Sequence, residues 1–117
     1  MTLGADGAVS RTTNRGTAGT VELTEQRREH YRLHADVCRV LTDPKRLMLL
    51  DALRAGERSV GDLALAIGVA LPNASQHLAV LRNSGLVLTR RDGNAIFYRL
   101  ADPRVLEACR LLQSLAG

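Results

Sequence analysis

Residues 59–100, SVGDLALAIGVALPNASQHLAVLRNSGLVLTRRDGNAIFYRL, contain the pattern that decides the fold. Two short segments, Ser59–Ile67 and Pro72–Asn83, place apolar residues at helical spacing. Gly68 separates them, and a glycine is favoured where the chain must leave a helix in the left-handed conformation. Two short helices joined through a glycine turn are typical of a helix-turn-helix unit. The second of these helices is predicted to end at Gly85.

A β-hairpin is predicted directly after the second helix. The runs Leu86–Arg90 and Ala95–Leu100 are rich in residues that favour strands, and Asp92-Gly93-Asn94 lies between them. Asp-Gly between two such runs is a strong hairpin signal because these residues tolerate positive φ. A helix-turn-helix followed by a basic hairpin predicts a winged helix, mainly α with a small β-hairpin (α+β).

The flanking segments carry helix start and stop signals. Thr24 is positioned to cap a helix running to about Arg39, and Asp43 precedes Pro44 at the start of a second helix that Gly56 closes. We expect this second helix to be mostly buried. Ser59 and Asp62 have the spacing of a capping box. A final helix, residues 103–115, has an apolar stripe predicted to be buried: Val105, Ala108, Cys109, Leu112 and Leu115.

Length and composition limit the class of protein. A chain of 117 residues is predicted to hold one domain, residues 23–117, preceded by a disordered tail over residues 1–22 that is rich in Gly, Thr and Ala. No apolar run approaches the roughly 20 residues of a membrane span, so no membrane partner is expected. The N-terminus shows no secretory signal, and two cysteines cannot form a disulfide framework. We therefore expect a cytoplasmic location.

Charge points to a nucleic-acid partner. The formal net charge is +4, and of 16 basic residues all but Lys45 are arginine. Arginine suits bidentate contacts to phosphate and guanine. Residues 71–100 hold four arginines against the single acidic residue Asp92: Arg82, Arg90, Arg91 and Arg99. The excess charge is therefore concentrated around the predicted wing.

The second helix of a helix-turn-helix enters the major groove, where its N-terminal half meets base edges. The candidate base contacts in that half are Asn73, Ser75, Gln76 and His77. The candidate phosphate contacts that flank the groove are Arg82, Arg90 and Arg91. The alternative is that these polar residues solvate an ordinary surface helix and wing.

Four blocks of the chain together resemble the ArsR/SmtB family of bacterial repressors over about Ala35 to Leu115. They are LTDPKRLMLL from Leu41, SVGDLA from Ser59, SQHLAVLRNSGLV from Ser75 and RDGNAIFYRL from Arg91. The resemblance implies a winged-helix repressor that pairs through its first and last helices as a homodimer. It also implies double-stranded DNA as partner, in the form of a palindromic operator that the repressor leaves when an inducer binds.

The family's metal sites do not carry over to this chain. Metal sensors of the family have Glu-Leu-Cys-Val-Cys-Asp-Leu where residues 57–63 read ERSVGDL, so both thiolates that soft metals need are missing. The family has a second metal site, whose ligands lie in the last helix. Of those ligands only Asp102 is present here, while two other ligand positions hold Arg104 and Leu115. We interpret Asp102 as a helix cap. The sequence predicts no cofactor.

The two cysteines allow three interpretations: a thiol switch, inert thiols or part of a metal site. Some family members sense oxidants or reactive sulfur through cysteines at positions that here hold Asp51 and Gly117. The pair in this chain, Cys38 and Cys109, is displaced from those positions, but it lies on the two helices expected to be neighbours. A disulfide requires the two Cα atoms to approach within about 4.4–6.8 Å, and on that condition the pair is our leading candidate for a thiol switch. Inert, buried cysteines are the second possibility.

The third possibility is a metal site on the first helix. His30, His34 and Cys38 recur every four residues and so share one helix face, with Cys109 as a possible fourth ligand. Exposed histidines without a metal are the plainer interpretation.

Two other classes of protein have to be compared with a DNA-binding repressor: a protein-interaction module and an enzyme. Ala70 and Leu71 stand where the family usually has a Ser cap and a polar residue, which leaves room for a protein-interaction module that no longer binds DNA. An enzyme is not expected, because the chain has no phosphate-binding glycine loop, no paired carboxylates and no assembled catalytic triad.

Overall fold

The computed structural model describes residues 22–116, which form five helices and three strands. In chain order these are α1 (Glu25–Val40), α2 (Pro44–Ala52), β1 (Arg58–Ser59), α3 (Val60–Ile67), α4 (Leu71–Asn83), β2 (Val87–Asp92), β3 (Ala95–Leu100) and α5 (Arg104–Ala116). One compact unit ends at Leu33 and a second begins at His34. The predicted tail, residues 1–22, lies outside the described residues except for Glu22, and the predicted domain boundary stays a prediction.

Side chains cap the starts of the first three helices. The backbone N–H of Arg27 donates to Oγ1 of Thr24 at 3.1 Å, and that of Lys45 donates to Oδ1 of Asp43 at 2.8 Å, as the sequence predicts. Oγ of Ser59 accepts from the N–H of Asp62 at 3.2 Å, which is the serine half of the predicted capping box. Each cap satisfies an amide that has no partner inside the helix.

A glycine turn joins α3 to α4 as predicted. Gly68 has φ 73° and ψ 40°, the left-handed conformation, and its N–H donates to the Ala64 carbonyl at 2.9 Å. The two helix axes differ by 108°, within the range typical of a helix-turn-helix. No single helix among residues 22–116 is long and apolar enough to cross a membrane.

The hairpin forms with a tight two-residue turn. Strands β2 and β3 pair antiparallel from Val87 opposite Leu100 to Asp92 opposite Ala95, and Gly93 in the turn has φ 62°. Strand β1 adds to the other edge of β3, so the sheet order is β1-β3-β2. β1 was not predicted, because two residues are too few to show the alternation by which a strand is recognised.

The core lies between α2, α3, α4 and the base of the hairpin. Its seven largest buried side chains are each at most 1% exposed: Leu49, Leu50, Leu53, Leu63, Leu78, Leu81 and Val87. Each contributes about 1.5–3 kcal/mol by leaving water. This leucine-rich core fixes α3 and α4 relative to the wing. The expectation that α2 is mostly buried is wrong, because only Leu49 and Leu50 of α2 are buried and Met48 is 50% exposed.

The helix α5 is less buried than its sequence predicts, and α1 is exposed as well. Neither contains a buried residue, and Leu112 and Leu115, members of the predicted buried stripe, are 60% and 84% exposed. Only Val105 and Leu106 of α5 pack against the core. The apolar stripe therefore remains largely unburied within one protomer.

Candidate nucleic-acid interface

The helix-turn-helix presents one face of α4, the recognition helix, outward. Ala74, Leu78 and Leu81 anchor this helix in the core, because residues three and four apart share a face. Ser75 and Gln76 are exposed, with Gln76 on the opposite face and Ser75 on its flank. Both side chains can donate and accept hydrogen bonds, so the outward face carries groups suited to base edges.

His77 turns toward α2 instead of outward. Its Nδ1 lies 3.3 Å from Nη1 of Arg46 and 3.8 Å from Oδ2 of Asp43, and the His77 and Arg46 side chains are each 17% exposed. Arginine has no acceptor, so Nδ1 of His77 accepts this hydrogen bond. Nε of Arg46 also donates to the Val40 carbonyl at 2.7 Å. His77 thus links the recognition helix to the start of α2.

The Asp43 carboxylate completes this cluster. The pKa of Asp43 lies below its usual value, chiefly because its carboxylate accepts the backbone N–H of Lys45 and secondarily because His77 and Arg46 lie nearby. Asp43 therefore stays charged while it caps α2.

Asn73 also points inward in part. Its side chain is half-buried, and its Oδ1 is buried without a hydrogen-bond partner among the described residues. Of the four candidate base contacts, the structure therefore places Ser75 and Gln76 on the exposed face and Asn73 and His77 against the body of the domain.

The arginines of the site differ in their availability. Arg82 at the end of α4 and Arg91 in β2 are exposed, and neither forms an ion pair within residues 22–116. Arg99 in β3 is likewise exposed and has no ion pair within that range. These guanidinium groups are open to an external anion.

Arg90 is held by a carboxylate. Its Nε and Nη2 donate to Glu57 at 3.1 and 2.8 Å, and its guanidinium carbon lies 4.9 Å from the centre of the Phe97 ring. The Arg90 hydrogen bonds hold the pKa of Glu57 below its usual value. Glu57 was not predicted as a site residue, because its contact with Arg90 spans 33 residues and no local pattern indicates it.

The two cysteines lie in different surroundings and are both free thiols. Cys38 is exposed on α1. Cys109 is half-buried in a groove of about 960 Å³ between α2 and α5, which Asp51 and Glu107 also line. Burial raises the pKa of the Cys109 thiol.

The candidate metal ligands lie on an open surface. His30 and His34 are exposed on α1, and within residues 22–116 no three His, Cys, Asp or Glu side chains are grouped as metal ligands. Asp102 accepts the backbone N–H of Arg104 at 2.9 Å and pairs with its guanidinium at 2.7 Å, so it caps α5 as interpreted from the sequence. The Arg104 hydrogen bonds lower the pKa of Asp102.

The fold and this site define a winged helix-turn-helix protein. Residues 43–89 match the model for the arsR family of bacterial regulatory proteins. The chain is 43% identical over 81 residues to a biofilm growth-associated repressor of Xylella fastidiosa, covering 69% of this chain and 71% of the relative.

Two solved structures are similar throughout the winged domain. The crystal structure of NolR from Sinorhizobium fredii has a TM-score of 0.72 and 34% identity, covering 84% of this chain and 98% of that one. A possible ArsR-family regulator from Mycobacterium bovis, described as a homodimeric winged helix-turn-helix DNA-binding domain, has a TM-score of 0.71 and 35% identity, covering 86% and 90%. The chain belongs to the ArsR family of bacterial regulatory proteins.

Proposed function

We propose that this chain is a transcriptional repressor that binds a palindromic DNA operator as a homodimer. The observation that carries this proposal is the exposed pair Ser75 and Gln76 on the recognition helix, together with the exposed guanidinium groups of Arg82 and Arg91, which form no ion pair within residues 22–116. Base edges need such hydrogen-bonding side chains, and phosphates need such cations.

The roles within the interface follow from exposure and pairing. Gln76 and Ser75 read bases, while Arg82 and Arg91 contact phosphates. Arg90 contributes a weaker phosphate contact, because Glu57 neutralises it. Asn73 and His77 stay predicted as base contacts, although their burial favours a role in positioning the recognition helix.

Dimerisation through α1 and α5 accounts for their exposed apolar side chains. On α5 these are Leu111, Leu112 and Leu115, and on α1 they are Tyr31 and Leu33, all at least 48% exposed. Two such helices in water favour burial against a second copy. Two-fold symmetry then places two recognition helices on a palindromic site.

A DNA titration tests the proposed function. Fluorescence anisotropy with duplexes from upstream of the chain's own gene, in about 0.1 M salt, should give binding that is at least about 1,000-fold tighter to one duplex than to its scrambled sequence. Light scattering of the same protein should give the mass of a dimer. Equal affinity for all duplexes would overturn the assignment as a sequence-specific repressor, and the absence of DNA binding would favour the interaction module.

For the inducer we propose an oxidant or a reactive sulfur species acting on Cys38 and Cys109, and the oxidant is the simpler case. Cys38 is exposed, whereas Cys109 is half-buried and burial raises the pKa of its thiol, so Cys38 is the cysteine more accessible to an oxidant. A peroxide converts the Cys38 thiolate to a sulfenic acid and releases hydroxide. The Cys109 thiol then displaces water from it and forms a disulfide.

Oxidation of the protein in the presence of a chelator tests this inducer. Treatment with hydrogen peroxide should weaken operator binding by at least about 10-fold, and a thiol reductant should restore it. The variants Cys38→Ser and Cys109→Ser should each bind DNA as the wild type does and be insensitive to peroxide. Full binding by oxidised wild-type protein would show that the cysteines are not the sensor.

A further inference from the structure

The first turn of the recognition helix presents only apolar side chains to the outside. Ala70, Leu71 and Pro72 are all exposed, and Leu71 is 50% exposed even though leucine is the main core residue of this protein. None of the three side chains can form a hydrogen bond. This turn is where base edges lie when such a helix enters the major groove.

The exposed residues of α4 continue this pattern along one face. Leu71, Ser75 and Ala79 are exposed and recur every four residues, so they form one row on the helix. The polar residues Asn73 and His77 of the same two turns are half-buried. The outward face therefore combines hydrogen-bonding groups at its centre with an apolar group at its start.

Among the four bases only thymine places an apolar group, its 5-methyl, in the major groove. An exposed leucine at the N-terminus of a recognition helix contacts this methyl group favourably. The same leucine leaves the donors and acceptors of the other bases unpaired.

We propose that Leu71 is a specificity-determining residue that contacts the 5-methyl group of one thymine in each half-site. The inference rests on the proposed function and adds a base preference to it. Leu71 reads the methyl group, and Ser75 and Gln76 read the neighbouring hydrogen-bonding edges.

Replacement of thymine by deoxyuridine isolates the methyl group. A duplex selected by the protein from a randomised library is synthesised with each thymine replaced in turn, and the affinity for each is measured by anisotropy. At one position per half-site the replacement should weaken wild-type binding by about four-fold. For Leu71→Ala the same replacement should change the affinity less than about 1.5-fold, because the variant has already lost the contact.

Two control variants are measured on the same deoxyuridine duplexes. Val80→Ala removes another exposed apolar side chain of α4, 37% exposed and nearer its C-terminus, and should keep the full deoxyuridine effect. Arg91→Ala should weaken binding to all duplexes and also keep that effect. Thermal unfolding should be unchanged in Leu71→Ala, because Leu71 lies outside the core.

The possible failures are distinct. If one duplex is selected but no thymine is sensitive, or if Leu71→Ala keeps the four-fold effect, the inference is overturned and the proposed function stands. If the library yields no preferred duplex, the proposed function fails and the assignment of Leu71 fails with it.

Discussion

Arg46 on α2 donates from Nη1 to Nδ1 of His77 on α4 across 3.3 Å, and both side chains are largely buried. The same arginine binds the Val40 carbonyl at 2.7 Å and approaches Asp43 at 3.8 Å. One guanidinium group thus joins the end of α1, the cap of α2 and the recognition helix. The orientation of the recognition helix therefore depends on a polar contact as well as on its leucines.

Removal of the His77 ring should lower stability and weaken DNA binding without changing sequence preference. In His77→Ala the half-buried Arg46 loses an acceptor, which should reduce the free energy of unfolding by about 1.5 kcal/mol. Urea unfolding measures this change. Affinities for the selected duplex and for single-base variants of it should fall by one common factor, since a tilted helix weakens every contact.

Gln76→Ala is the matched comparison on the same helix. Gln76 is exposed, so the variant should unfold as the wild type does, yet its preference at one base position should relax by about 1–3 kcal/mol. If His77→Ala altered preference at one base while Gln76→Ala did not, the two roles would have to be exchanged.

Glu57 should restrain DNA binding through Arg90. In Glu57→Gln the guanidinium of Arg90 loses its hydrogen-bonded carboxylate and keeps only Asp92 at 3.7 Å, so it becomes more available to a phosphate. Binding should tighten, and the slope of log K against log salt should steepen by up to about 1.8 for the dimer, which is about 0.9 for each protomer. Arg91→Ala should make the slope shallower by about the same amount. Anisotropy titrations between about 50 and 300 mM salt measure both slopes.

Glu107→Gln serves as the control for that experiment. Glu107 also pairs with an arginine, Arg110, but lies on α5 and away from the wing. It should leave the salt slope unchanged. An equal steepening in both variants would mean that net charge acts at long range and that Arg90 has no specific role.

The same ion pair should make the wing sensitive to acid. Because Arg90 lowers the pKa of Glu57 in the folded state, the pair stabilises the fold above the ordinary glutamate pKa of about 4.3 and this contribution is lost as pH falls through the folded-state pKa. The stability difference between wild type and Glu57→Gln should be present at pH 7 and should shrink as the pH falls below about 4.3. Urea midpoints across this range measure it, and a difference that persists at the lowest pH would argue against the ion pair as its source.

The local features of this fold were predictable from sequence. The caps at Thr24, Asp43 and Ser59, the left-handed Gly68 and the tight hairpin turn each depend on residues within four positions of one another. Such signals are read directly from spacing and residue type.

Contacts between distant segments were not predictable in this way. The pairing of Glu57 with Arg90 spans 33 residues and that of Arg46 with His77 spans 31, and both depend on how the elements pack. The predicted stripe on α5 has the right period, but a period does not say whether its apolar face is buried within the protomer or against a second chain. Prediction from sequence therefore extended to the helices and strands that carry the candidate surface and did not extend to the direction of each side chain on it.

The start of the recognition helix offers a direct gain in stability. Ala70 occupies the N-cap of α4 with φ −67° and ψ 150° and makes no side-chain hydrogen bond, whereas Ser59 caps α3 from nearly the same conformation, φ −75° and ψ 162°. In α3 the serine hydroxyl accepts the N–H of the third helical residue, Asp62, and the equivalent donor in α4 is Asn73. Ala70→Ser should therefore raise the free energy of unfolding by about 1 kcal/mol.

Two control variants test whether the side-chain cap causes this gain in stability. Ser59→Ala should lose about 1 kcal/mol, and Ala70→Val, which adds bulk without an acceptor, should gain nothing. All are measured by urea unfolding at pH 7, where a constant m-value would assign the change to the folded state. The backbone N–H of Asn73 lies 3.0 Å from the Ala70 carbonyl oxygen. Equal stability of Ala70→Ser and Ala70→Val would mean that this carbonyl already satisfies the Asn73 N–H and that α4 needs no side-chain cap.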